Sequence, residues 1–234
     1  MKNKLIILSG AGMSAESGIP TFRDMGGIWE KYDVTEVASP TAWAKNPQLV
    51  LDFYNQRRKK LLEVSPNRGH EIIAELEKDF DVIIVTQNVD DLHERAGSSN
   101  ILHLHGELRK VRSTSHPELI YELEGWELKV GDLCEKGSQL RPHIVWFGES
   151  VDKIYDAQQI VKTADILVVV GTSLNVYPAA GLVNFAPKNT PIYVIDPAKP
   201  TMMSGNKTQF ITEKASVGLE KLREMIKESF DKPR

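Results

Sequence analysis

Two histidines alternate in Leu102-His103-Leu104-His105-Gly106, where an apolar run turns polar. His105 stands at the mouth of a predicted strand. A histidine there is either a hydrogen-bonded packing residue or a group that moves protons, because its ordinary pKa of ~6.5 lies near neutrality. Its company decides which. Lys4-Leu5-Ile6-Ile7-Leu8-Ser9 runs into Gly10-Ala11-Gly12-Met13-Ser14-Ala15, and Asp81-Val82-Ile83-Ile84-Val85 runs into Thr86-Gln87-Asn88-Val89-Asp90. Both apolar runs break into small and polar residues at their carboxyl ends, where open α/β sheets keep their ligands.

The turn Gly10-x-Gly12-x-x-Ala15 reads in two ways. Two glycines let a backbone approach a pyrophosphate at the start of a helix, and any tight strand-to-helix turn also needs glycine. Ser14, Glu16 and Ser17 are available to cap or begin that helix. A dehydrogenase would place a second strand ending in an acidic residue about twenty residues on. Here the chain gives Pro20-Thr21-Phe22-Arg23-Asp24-Met25-Gly26-Gly27 instead, a loop whose Phe22, Arg23 and glycine pair suit a mobile cover. Gln87, Asn88 and Asp90 put three amide or carboxylate heads after one buried strand; a helix cap would use Asn88 or Asp90 but not all three.

Tyr54 and Arg57 are a third group. From Asn46, with Pro47 in the first turn, Val50, Phe53, Tyr54, Arg57 and Leu61 recur at helical spacing, so Arg57 fills a slot in an apolar stripe and shares a face with Tyr54. Either the arginine snorkels from the stripe edge, or a phenol and a guanidinium face a carboxylate together.

The elements that must position these groups follow from the hydrophobic pattern. Near-continuous apolar strands at 82–85, 166–170 and 192–195 alternate with helices at 67–78, 153–163 and 217–230. That alternation predicts an α/β fold, a Rossmann-like parallel sheet with helices on both faces. Pro142 to Glu149 reads as a return to strand, and Phe210-Ile211-Thr212 as a last one. Arg109 to Pro142 lacks a long period and reads as a small inserted lobe. The 234 residues suffice for one domain with such an insertion. A net charge of -3 and a pI near 6.1 provide no global basic field for nucleic acid or an acidic membrane surface. One cysteine, Cys134, excludes an internal disulfide, and the first residues resemble neither a secretory nor a transit segment, so a cytoplasmic protein is expected.

Taken together, the segments Gly10 to Arg23, Thr86-Gln87-Asn88-Val89-Asp90, His103-Leu104-His105-Gly106, Val145-Trp146-Phe147-Gly148-Glu149 and Gly171-Thr172-Ser173 resemble the sirtuin family of NAD-dependent protein deacylases, in family order across most of the chain. The resemblance implies one catalytic domain, with a large lobe near 1–24, 67–109 and 143–234 and a small lobe near 25–66 and 110–142. NAD would lie across the carboxyl ends of the sheet, with Gly10, Ala11, Gly12 and Ala15 at the pyrophosphate turn and Phe22 and Arg23 in the cofactor loop. Gln87 and Asn88 would reach the nicotinamide ribose and Asp90 the nicotinamide pocket; Gly171, Thr172, Ser173, Asp196 and Ala215 would fall on the adenosine side.

His105 and Asn88 would be the catalytic residues. In the family's reaction the acyl oxygen attacks the ribose carbon, nicotinamide leaves, and His105 serves as general base while the acyl group transfers to a ribose hydroxyl. The peptide would pair as a strand between Val145, Trp146, Phe147 and Gly148 on one side and Leu174 to Tyr177, including Val176, on the other. Tyr-x-x-Arg resembles the subclass that removes malonyl, succinyl and glutaryl groups, which turns the reading of Arg57 and Tyr54 toward carboxylate binding. Relatives commonly carry two Cys-x-x-Cys pairs; here Ser113, Thr114, Ser115, His116 and Cys134 stand near those places, so no structural zinc is expected. The alternatives are ADP-ribosyl transfer on the same fold, or a non-catalytic module that binds NAD or acyl-lysine.

Overall fold

Leu5-Ile6-Ile7-Leu8 and Ile166-Leu167-Val168-Val169-Val170 lack polar alternation, which a strand tolerates only when both of its faces are covered. Both are central in the computed structural model, which describes residues 2–21, 33–172, 174, 176–198 and 208–230. Strands β1 (Lys4–Ser9), β2 (Asp81–Thr86), β3 (Ile101–His103), β7 (Ile166–Val170), β8 (Ile192–Ile195) and β9 (Thr208–Ile211) form one parallel sheet in the order β3-β2-β1-β7-β8-β9. The chain steps outward from β1 to β3 and then returns to β7, so the strand order reverses between β1 and β7. In an open parallel sheet the crevice for a ligand lies at the carboxyl ends beside that reversal.

One face is covered by helices α5 (Arg68–Leu76) and α8 (Ala215–Phe230), with Ile72, Ile73, Leu219 and Leu222 packed on Leu5, Ile7 and Val168. The other carries α7 (Ile154–Val161) and a 3-10 segment, Ala179–Phe185, over Ile6, Leu8, Leu167 and Val169. Among the described residues no helix is long and apolar enough to cross a membrane.

The inserted segment is an antiparallel sheet of β4 (Gly106–Ser113), β5 (Ile120–Glu122) and β6 (Leu140–Ile144) in the order β5-β4-β6. Two sequence expectations change here. The strand expected over Pro142 to Glu149 ends at Ile144 and pairs with β4, while Val145 to Glu149 leaves as a loop. None of the polar residues around Gly12 caps the helix they were expected to: α1 (Gly12–Ala15) is a single turn whose cap position, Ala11, has no polar side chain, and Glu16 instead accepts from Ser216 N and Oγ (2.9 and 2.8 Å) at the start of α8.

Short helices α2 (Val34–Val37) and α3 (Pro40–Lys45) lead into α4 (Pro47–Glu63), capped by the Asn46 side chain, which accepts from Leu49 N at 3.1 Å. Its buried stripe is Val50, Leu51, Phe53, Tyr54, Asn55, Arg58 and Leu61; the fully buried arginine is therefore Arg58, and Arg57 stands beside the stripe, partly exposed. Arg58 donates to Leu108 O (2.8 Å), Asn55 Oδ1 (2.6 Å) and Trp126 O (3.2 Å), and Asn55 both donates to and accepts from the Leu128 backbone at 2.9 Å. Burial lowers the Arg58 pKa to about 10, still cationic at neutral pH. With Leu51, Val111 and Leu128 clustered alongside, these bonds fasten the small sheet to α4.

The core also holds imidazoles. His70 completes a capping box at the start of α5, its Nδ1 accepting from Asn67 N at 3.3 Å, and is fully buried. Burial pulls its pKa down to about 4, and that of its neighbour His93, on α6 (Leu92–Arg95), well below the ordinary value. A histidine held neutral in the folded state and free to charge in the unfolded one costs no stability above pH 6.5. As the pH falls from 6.5 towards about 4, the unfolded state takes up protons first, and stability falls. His70 contributes about 1.4 kcal/mol per pH unit over that window, and His93 acts in the same direction. Denaturant unfolding at pH 7.5 and at pH 5 should show the loss, and His70→Gln should flatten the slope.

Candidate active site

The crevice at the strand reversal is built by two turns pressed together. The Gly10 amide donates to Val170 O (3.0 Å) and that of Gly12 to Gly171 O (2.8 Å). A Cβ on Gly10 would stand 2.6 Å from Thr172 Cβ, one on Gly12 2.8 Å from Gly171 Cα, and one on Gly171 2.2 Å from Met13 N. The glycines are thus needed for backbone-to-backbone approach across the switch point, whatever binds above them.

The turn after β2 supplies polar heads. Asn88 Nδ2 donates to Ser14 Oγ (3.1 Å), Ser14 Oγ donates to Asp90 Oδ2 (2.9 Å), and Asp90 Oδ1 accepts from Leu92 N (3.2 Å). Asp90 does the work of a cap for α6, and through Ser14 it also joins the two turns. Burial raises the Asp90 pKa against those hydrogen bonds. Gln87 Nε2 donates to Thr172 Oγ1 at 3.2 Å, which ties the same turn to β7.

His105 lies two residues beyond the end of β3, in the link to β4, rather than on the strand itself. Its Nδ1 faces Gln87 O at 3.1 Å. A carbonyl only accepts, so Nδ1 carries the proton and the neutral ring leaves Nε2 with a lone pair. Burial lowers the His105 pKa, partly offset by that hydrogen bond. The histidine is a neutral base at pH 7, on the wall of the cavity.

That cavity measures about 850 Å3 and gathers almost every site residue expected from the sequence. Gly10, Ala11, Gly12, Ala15, Gln87, Asn88, Asp90, Gly171, Thr172, Asp196 and Ala215 line it together with His105, Tyr54, Arg57, Val145, Trp146, Phe147, Gly148 and Val176. Leu174 is the exception: its side chain is buried in the core under the 3-10 segment, so only its backbone is left for a partner. Phe22, Arg23 and Ser173 lie outside the described residues. The size is within the range of small-molecule sites, and Asn88, Asp90, Thr172 and Asp196 offer the acceptors and amides that ribose hydroxyls and a carboxamide require. The residues fit a dinucleotide.

At the other end Tyr54 is buried, with its hydroxyl accepting from Trp146 Nε1 at 3.1 Å. The Arg57 guanidinium stands 5.5 Å from the Phe53 ring centre and 5.9 Å from that of Tyr54. Desolvation lowers the Arg57 pKa, countered by Tyr54 and Asp90; an arginine stays cationic through such shifts.

Sequence reasoning missed Arg141 and Glu149 as a pair. Arg141 Nη1 and Nη2 meet the Glu149 carboxylate at 2.7 and 3.0 Å, the guanidinium lies 3.3 Å from the Trp146 ring centre, and Glu149 Oε2 accepts from Trp146 N at 2.8 Å. Together they set the shape of the loop 145–149. A bidentate Arg–Glu pair eight residues apart leaves no periodic signal.

A model of the Sir2 family matches residues 10–178, more than half of the chain. The chain belongs to the Sir2 family. It is 55% identical over 231 residues, covering 97% of this chain and 98% of the relative, to a protein of Bacteroides thetaiotaomicron named NAD-dependent protein deacylase. Among solved structures it is similar to a Sir2 homologue, a serine-to-alanine variant complexed with ADP-ribose, at TM-score 0.89 and 40% identity over 100% of this chain and 96% of that one. It is also similar to a Sir2 homologue complexed with NAD, at TM-score 0.87 and 41% identity, covering 97% and 91% of the two chains. The six-stranded parallel sheet with its small antiparallel insert is thus the Sir2 architecture.

Proposed function

We propose that this chain, an NAD-dependent protein deacylase by its family and relatives, acts preferentially on lysines whose acyl group ends in a carboxylate, succinyl and malonyl, ahead of acetyl. The observation that carries this reading is Arg57 on the cavity wall, partly desolvated against Phe53 and Tyr54. A guanidinium taken out of water gains more from an incoming carboxylate than an exposed one does, and its fork fits both carboxylate oxygens. The Tyr54 ring gives Arg57 a surface to stack on, and its hydroxyl is itself fixed by Trp146.

Bound NAD would supply an activated ribose carbon and the hydroxyl that receives the acyl group. The protein's own groups do the rest. Asn88 and Asp90, linked through Ser14, hold the nicotinamide end, and Asp196, at the end of β8, the adenosine side. His105 Nε2 takes the proton of the ribose hydroxyl, with Nδ1–H held on Gln87 O so that the ring neither turns nor changes tautomer. The substrate peptide runs between loop 145–148 and 174–177. Because the amides of Val145, Trp146 and Phe147 are already bonded to His105 O, Glu149 Oε2 and Ala38 O, the first loop meets it mainly through carbonyl groups. The reading includes no structural zinc: Cys134 donates its thiol to Ser113 Oγ at 3.3 Å, His116 pairs with Glu118 at 3.7 Å, and one sulfur does not make a four-coordinate site.

The test is turnover of matched acetyl-, malonyl- and succinyl-lysine peptides with NAD, following nicotinamide and deacylated peptide by mass, for wild type and Arg57→Met. A charge-assisted hydrogen bond is worth about 1.5–3 kcal/mol, so Arg57→Met should lower kcat/KM for the acidic acyl groups by roughly 10–150-fold and leave acetyl within about threefold. A wild type that prefers acetyl, or a variant that loses all three substrates equally, removes the carboxylate pocket. Nicotinamide release without deacylated peptide replaces deacylation with ADP-ribosyl transfer.

A further inference from the structure

His103 and His105 make the same hydrogen bond to consecutive residues and differ in one neighbour. His105 Nδ1 faces Gln87 O at 3.1 Å, and His103 Nδ1 faces Asn88 O, also at 3.1 Å. His105 lines the cavity, whereas the His103 Nε2 meets Glu94 Oε1 at 2.7 Å, from α6 on the far side of the turn. His103 itself is buried, and Glu94 is 40% exposed.

The proton count follows from the acceptors. Asn88 O has no proton to give, so His103 Nδ1 donates. At Nε2 the partner is a carboxylate, so one more proton is shared along that contact. A neutral ring with its proton on Nδ1, facing an ionised Glu94, would set two lone pairs against each other at 2.7 Å. We propose that His103 is held as an imidazolium between Asn88 O and Glu94, and that this cation is a positioning residue which fixes the Gln87–Asp90 turn for NAD, leaving His105 as the base.

The surroundings agree. Glu94 raises the His103 pKa against burial, and His103 lowers that of Glu94 in return. The other titratable groups near His103 are Glu107 on β4, at 4.0 Å and itself bonded to Lys110, together with Asp90 and the neutral His93. Two histidines two residues apart, one ending β3 and one in the link that follows, thus have opposite proton states, set by the presence of Glu94 behind one of them. Glu94, His103 and Glu107 have ligand atoms within 4.8 Å of one another, but the Glu94–His103 bond and Lys110 on Glu107 already engage all three, which assigns a proton to the cluster rather than a metal ion.

The inference rests on the NAD-dependent reading, yet two of its readouts need no turnover. Imidazole-region NMR of the 15N-labelled full chain should show, at pH 7.5, one histidine protonated on both nitrogens; His103→Gln assigns it. In Glu94→Gln, which keeps the shape and removes the charge at a partly exposed position, that histidine should be singly protonated at the same pH. Calorimetric NAD affinity and the KM for NAD should weaken roughly tenfold in Glu94→Gln, equivalent to about 1.4 kcal/mol, with kcat at saturating NAD changed less than about threefold. In wild type, NAD affinity should decline as the pH rises through the His103 pKa, and Glu94→Asp, which keeps the charge, should restore much of it. No doubly protonated histidine in wild type, or an unchanged NAD affinity in Glu94→Gln, overturns the proposal. Binding and NMR that behave as expected in a protein that deacylates nothing would overturn the deacylase reading instead.

Discussion

Replacing His105 with alanine lowers kcat/KM for deacylation by about 10²–10⁴-fold, the usual contribution of a positioned general base, and leaves NAD affinity within a few-fold. The two effects separate because the His105 side chain makes one hydrogen bond, to Gln87 O, and takes no part in the Asn88–Ser14–Asp90 linkage proposed to hold the nicotinamide end. The pH profile of the wild type is a second expectation from the same geometry. The base must be neutral to act, and burial disfavours its charged form. Lowering the pKa extends the neutral form to lower pH, so the acid limb of kcat/KM lies below 6.5, the ordinary histidine value. Steady-state kinetics from pH 5 to pH 8 at saturating peptide would show it. An acid limb above 6.5 assigns the limb to another group; a His105→Ala protein with near-normal turnover removes His105 from the chemistry.

His105 could be picked out from sequence because a polar residue at the carboxyl end of a buried strand stands out against the apolar run before it. The same holds for Gln87, Asn88 and Asp90 after β2, and for Gly171 and Thr172 after β7. What could not be read is the side of each histidine's ring that is covered. His103 and His105 look equivalent in the pattern; Glu94, on a helix one turn long, makes them different. Arg58 illustrates the same limit. Adjacent arginines on α4 differ by one helical step, and the step puts Arg58 on the small sheet's carbonyls and Arg57 on the cavity wall. The period put Arg57 in the stripe, whereas Arg58 is the one buried there, because its partners Leu108 and Trp126 lie 50 and 68 residues away and leave no local signal. The glycine turn was legible as a turn. Its reason was not: the atoms that exclude a Cβ at Gly10 and Gly12 belong to Gly171 and Thr172, from a strand far along the chain.

Gly106→Ala should be the most damaging single methyl group in the small sheet. Gly106 has φ +85, a region L-residues enter at a cost of roughly 1–2 kcal/mol, and a Cβ there would stand 2.0 Å from His143 O and 2.9 Å from Ile144 Cα. Neither atom is the end of a flexible side chain. Both belong to β6, which pairs with β4 at Gly106 and Ile144, so relief requires the two strands to separate at the start of their ladder. That point adjoins His105 on one side and, through the bond from Val145 N to His105 O at 2.9 Å, the loop 145–149 on the other. The expected loss is more than about 4 kcal/mol, the range reached only by strain or gross repacking, and any folded fraction should have a displaced base and a low kcat. Gly125→Ala is the control. It has φ +74 with nothing within 4 Å of the added methyl, so it isolates the backbone term and should cost only about 1–2 kcal/mol. Denaturant midpoints of the two variants measured side by side decide the matter: if Gly106→Ala is no less stable than Gly125→Ala, β4 and β6 do not approach as closely behind His105 as the structure places them.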